Sequence, residues 1–159
     1  MKKEYLFGLT RIVMGWIFFW AFIDKLFGLG YATQPGKAWL NGVSPTAGFL
    51  KSVQGPFAGT FHSMVGNVVV DWLFMLGMLF VGVGLLLGFR VKLSAYVGSV
   101  MMFLIWLASM PIKMNPIIDE HIVYILVLLT LASVGAGDYL GLGKRWKKLG
   151  FVKKHSILQ

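Results

Sequence analysis

Two uncharged runs limit what this chain can fold into. From Trp72 to Phe89 and from Leu93 to Ile112 there is no Asp, Glu, Lys, Arg or His. A bilayer core is crossed by about 20 residues of helix, and both runs fit that length directly. Ile122–Gly137 is nearly as long, and Ile12–Ile23 is a shorter run bounded by Arg11 and Asp24. Both reach spanning length once their flanks are counted. The pattern predicts an all-α integral membrane four-helix bundle, with helices at about 5–29, 66–88, 92–112 and 119–137. Composition agrees: 57% of the residues are hydrophobic and 13% charged, against roughly a quarter charged in soluble domains. The length is that of a single membrane domain, 1–159.

The charge that remains is sorted by side. Lys2, Lys3, Arg90, Lys92 and the basic tail 138–159 fall on one side of a four-span arrangement. Lys37, Lys51 and Lys113 fall on the other, with Lys25 at the edge of the first span. The side richer in Lys and Arg is normally cytoplasmic, so both termini are expected inside the cytoplasmic membrane of a prokaryote. The net charge of +9 is then a topology signal and a contact for anionic headgroups, and nucleic acid is not an expected partner. Arg11 interrupts the first apolar run and no small-x-small site follows, which argues against a cleaved signal peptide. Cysteine is absent, which excludes thiol–disulfide exchange and Cys-ligated clusters within this chain.

The acids are sorted the other way. Asp24, Asp71, Asp119 and Glu120 all fall near outer helix ends, with Lys25, Lys113 and His121 at the same level. On that side lies the long connection from about Gly30 to Val65. Its aromatic residues Tyr31, Trp39, Phe49, Phe57 and Phe61 stand among Gly and Pro turns, which predicts an ordered outer loop. Short interfacial helices are expected near 46–53 and 56–63. Within the bilayer, Gly77, Gly84 and Gly88, and Gly135 and Gly137 with Ala132 and Ser133, read as helix packing faces.

Asp119 follows "NPII" and suits the N-cap of a helix whose positive end favours carboxylates. Glu120 and Tyr124 are i,i+4, and His121 and Tyr124 are i,i+3, so the three can share one face. Such a cluster can accept and deliver protons. Trp106, Met110 and Lys113 form a stripe on helix three that would suit a flat apolar ligand. Arg11 is expected to snorkel to the headgroups. "DEHI" is neither a helicase box nor HExxH, and His62 and His121 are too few to support a haem. No metal is expected.

The blocks "FIDKLFGLGY", "GVSPTAGFL", "GPFAGTFHSM", "VVVDWLFMLGMLFVGVGLLLGF" and "NPIIDEHIVYILVLLTLA" together resemble the DoxX/DoxD family of small prokaryotic four-helix membrane proteins, over about residues 5–148. The resemblance implies the four-helix fold. Through DoxD-like members it also implies the membrane subunit of a thiosulfate:quinone oxidoreductase working with a partner subunit. The expected function is a quinone-linked redox subunit, with quinone as a diffusible acceptor and the lipid bilayer and a redox subunit as partners. A homo-oligomer is compatible with this. Glu120, His121, Asp119, Asp71 and Asp24 are the candidate proton-handling residues. Trp106, Tyr124, Lys25 and Lys113 are the candidate ligand contacts. The alternative is a non-catalytic membrane scaffold for redox proteins.

Overall fold

The computed structural model describes residues 2–112 and 115–155. Helix α1 is Lys3–Phe27 and ends where Gly28 turns left-handed at φ 67°, its N–H returning to the Asp24 carbonyl. The connection that follows holds a 3-10 turn at Trp39–Asn41 and two short helices, α2 (Ala47–Ser52) and α3 (Ala58–His62). Then come α4 (Val68–Leu87), α5 (Val91–Ala108) and α6 (Glu120–Ser133). A 3-10 turn, Ala136–Asp138, leads to α7 (Gly143–Trp146) and α8 (Gly150–Lys153). Among the described residues there is no strand.

Helices α1, α4 and α5 are long and apolar enough to cross a membrane. Helix α6 has 14 residues, about 21 Å at 1.5 Å per residue, which is less than the expected span of 119–137. It stops early because Gly135 takes φ 62° and the chain turns there. Gly135 and Gly137 therefore lie beyond the helix whose packing face they were expected to form. Gly137 instead packs against the Gly88 carbonyl, within 2.5 Å of where a Cβ would sit.

The turn brings the chain back to its start. A Cβ on Gly8 would lie 2.9 Å from the Tyr139 carbonyl oxygen, and the Leu142 N–H donates to Leu87 at 2.9 Å. The beginning of α1, the end of α4, the beginning of α5 and the tail thus share one end of the bundle. We call this the tail end, and the opposite one, carrying residues 28–67, the loop end.

The main core is built from Met14, Phe18, Val81, Leu85, Ala95, Leu128 and Leu131. Helices α1 and α4 cross at glycines: a Cβ at Gly15 would lie 2.7 Å from Leu86 N, and one at Gly82 2.7 Å from Phe19 N. No hydrophobic drive joins helices in lipid, so such close approach is what holds them. Large apolar side chains such as Val13, Leu73, Leu76, Val100 and Leu126 stay exposed, the surface expected of a bundle solvated by lipid.

Arg11 does not snorkel. It is fully buried, and its guanidinium donates to the carbonyls of Leu85 and Leu86 at the end of α4, and of Ala136, Tyr139 and Leu140 in the returning tail. The cation is held by the negative end of a helix, and the tail that completes the cage also seals it from water.

Candidate functional site

The loop end is organised by acids that hold backbone and hydroxyls. Asp24 is buried. Its carboxylate accepts the N–H of Thr33 at 2.8 Å and of Tyr31 at 3.3 Å, folding the connection back over the end of α1. Asp71, in the first turn of α4, is also buried and accepts the hydroxyls of Ser44 at 2.8 Å and Thr46 at 2.5 Å. The Ser44 oxygen in turn accepts the Ala47 N–H at 3.0 Å. One carboxylate of α4 therefore sets the position of α2. The start of α4 is capped by Asn67, which accepts from Val69 and Val70, and His62 donates to the Val53 carbonyl at 3.0 Å.

Asp119 is the N-cap of α6. Its Oδ1 accepts from the backbone N–H of His121 and Ile122, and its Oδ2 lies 2.8 Å from Nδ1 of the His121 ring, which donates to it. Burial pushes this carboxyl up, and the bonds and charge from His121 with the two N–H donors outweigh it, so its pKa lies below the ordinary aspartate value. Glu120 is exposed. Ligand-type atoms of Asp119, Glu120 and His121 lie within 4.8 Å of one another. The Asp119 carboxylate is already engaged by His121 and Ile122, so the cluster reads as a helix start. Tyr124, placed by spacing on a face with Glu120 and His121, packs against the main core. Trp106 donates its Nε1–H to the Ile117 carbonyl at 2.9 Å and stacks on Phe103, stapling the connection into α6. Lys113 lies outside the described residues.

Between α4 and α5 at the loop end lies a cavity of about 420 Å³, within the usual size of small-molecule sites, about 300–1,000 Å³. Its walls are Val70, Leu73 and Phe74 from α4 and Met101, Leu104 and Ile105 from α5. Phe49 and Leu50 of α2 and Phe61 of α3 cover it. Toward the opposite end Gly84 faces the Ser94 hydroxyl, and at mid-height Met101 packs against Gly77. A second core cluster of Leu50, Val53, Phe61 and Ala108 seats the cover.

Lys25 is the one charged residue in this lining among those described, and its amine lies 6.0 Å from the centre of the Phe74 ring. Leu73 is 68% exposed and Leu104 48%, so the cavity opens sideways onto the lipid-facing surface. Of the residues singled out by sequence, Lys25, Phe49 and Phe61 line the cavity, Asp71 lies behind its Thr46 wall, and Asp24 ties the loop above α1. Asp119, Glu120, His121, Tyr124 and Trp106 stand outside the lining. The walls contributed by Phe74, Met101 and Leu104 were not singled out by sequence, since each reads there as ordinary bundle core.

The profile of the DoxX family matches residues 6–111. That stretch holds most of α1, the long connection, α4 and α5, hence every residue lining the cavity, and stops before Asp119. Comparison with curated proteins and with solved structures gives no match.

Proposed function

The chain belongs to the DoxX family, and on that premise we propose that this membrane protein is a subunit of a quinone-linked redox system, with the loop-end cavity as the seat of the quinone ring. The observation that carries the reading is a largely apolar cavity that opens toward lipid and carries one amine. A quinone dissolves in the bilayer and reaches such a site sideways. Its flat ring suits walls that include Phe49, Phe61 and Phe74, and Lys25 is placed to donate to a ring oxygen. The Lys and Arg bias supports a tail end in the cytoplasm, with the cavity near the outer leaflet of a prokaryotic membrane.

Reduction of the ring takes two electrons and two protons. With thiosulfate as donor, two ions join through a new S–S bond to give tetrathionate and release the two electrons; the protons come from water. The chain has no thiol of its own, so electrons reach the ring from the donor directly or through a partner subunit. Glu120 and the Asp119–His121 pair, outside the cavity at the loop end, are the groups that exchange protons with water in this reading.

The test is saturable binding of a short-chain benzoquinone by the full chain in lipid nanodiscs, with thiosulfate-dependent reduction measured with and without the neighbour-encoded partner. Leu104→Trp should abolish binding by filling the cavity, and Lys25→Met should weaken it by about tenfold, the scale of one charge-assisted hydrogen bond. No binding and no reduction in either pairing sinks the proposal. A scaffold for redox proteins is the second reading, favoured by the structural use of the Asp24, Asp71 and Asp119 carboxylates. A Glu120→Gln/His121→Ala variant that loses partner capture with unchanged redox turnover would decide for it.

A further inference from the structure

The redox reading makes no use of the tail end. There the chain after Asp138 doubles over the bundle as α7 and α8 and is tied down at several points. Lys147 pairs with Asp138 at 2.7 Å, and Val152 is fully buried. Trp146 packs between Phe89 and Phe151, with ring centroids at 5.4 and 5.6 Å. A basic stretch acting only as a topology signal needs charge and no fold. This one is folded, and it displays two kinds of side chain together. Leu140, Leu142, Leu149 and Phe151 are 44–55% exposed, among exposed Lys144, Arg145, Lys148 and Lys154. Apolar side chains mixed with cations, where the spanning helices end, have the composition of a segment lying in a membrane interface.

Beside this shelf, at the start of α5, is a notch whose lining includes Arg90, Lys92, Trp146 and Lys147. Asp138 pairs with Lys147 of that group, and the notch lining has three cations and no carboxylate among the described residues. Arg90 lies over the Trp146 ring at 4.8 Å, and its Nε is buried without an acceptor among the described residues.

We propose that residues 140–154 form a shelf that binds anionic phospholipid headgroups, with the phosphate among the exposed Lys144, Arg145, Lys148 and Lys154 and the acyl region against Leu149 and Phe151. Charge complementarity selects an anion, and the exposed apolar side chains select a lipid over nucleic acid. The experiment is native mass spectrometry of the full chain released from nanodiscs of equal phosphatidylglycerol and phosphatidylcholine. Phosphatidylglycerol should be retained several-fold over phosphatidylcholine. Lys144→Gln/Arg145→Gln/Lys148→Gln/Lys154→Gln should cut that preference by at least about fivefold, the effect of roughly one interfacial cation. Lys37→Gln/Lys51→Gln at the loop end should leave it intact, and a Lys148→Gln/Lys154→Gln pair serves if the fourfold variant fails to fold. Equal retention of the two lipids, or a preference that survives the tail substitutions, overturns the proposal. So does displacement of the lipid by inorganic phosphate beyond that by chloride of equal ionic strength.

Discussion

Arg11 has five N–H donors, and carbonyls from two separate parts of the chain receive them. Removing a buried charged partner of this kind leaves acceptors without donors. Arg11→Ala should therefore cost about 3–5 kcal/mol, read by denaturant unfolding in mild detergent. Arg11→Lys should recover only part, since an ammonium cannot match the guanidinium fork. Sequence gave the right residue and the wrong partner: a long cation two turns inside a helix suits snorkelling, and nothing local announces a tail returning over it. Asp119 was legible, because "NPIID" before an apolar run is a helix start by itself. Its lowered pKa means that its contribution is complete above the unfolded value, near 3.9, and is lost as pH falls through the folded one. The stability difference between wild type and Asp119→Ala, about 1 kcal/mol for a lost N-cap, should thus be present at pH 7 and shrink in acid below about pH 4. A difference that stays constant into acid would show that the cap acts without its charge.

At the level of elements, the glycines divide by what faces them. At Gly15 and Gly82 a Cβ would meet the backbone of the partner helix, and at Gly77 it would meet the movable end of Met101. Gly82→Ala must push α1 away from α4 and should cost about 1–3 kcal/mol. Gly77→Ala asks only for a rotamer change in a flexible side chain and should cost well under that, by the same unfolding measurement. Equal losses at the two sites would mean that the close α1–α4 approach is not what holds the bundle. The uncharged runs made the long helices readable, and Gly and Pro spacing with aromatics made α2 and α3 readable. The end of α6 was not, because Gly135 and Gly137 look like packing residues until the turn at Gly135 is seen.

Across the whole molecule, the two ends of one bundle do different work. Helices α4 and α5 meet closely at Gly84–Ser94 and at Gly77–Met101, and the cavity lies between them at the loop end. Its lining joins residues from five separate elements, which no single residue reports; this is why sequence placed Lys25 and Asp71 at the right level and named Phe49 and Phe61 of the loop, but did not find the walls from α4 and α5. The cover over the cavity hangs on Asp71 through Ser44 and Thr46. Asp71→Ala leaves two hydroxyls without their acceptor, at about 1–3 kcal/mol, and that loss is local to α2. Hydrogen exchange in residues 44–52 should rise about tenfold or more, and a bound quinone analogue should dissociate faster. Among the described residues the tail shelf and the cover stand at opposite ends of the bundle, and distant sites with no shared partner act additively. Phospholipid preference at the tail end should accordingly be the same in Asp71→Ala as in wild type, and a change there would mean that the helices transmit movement of the cover to the tail.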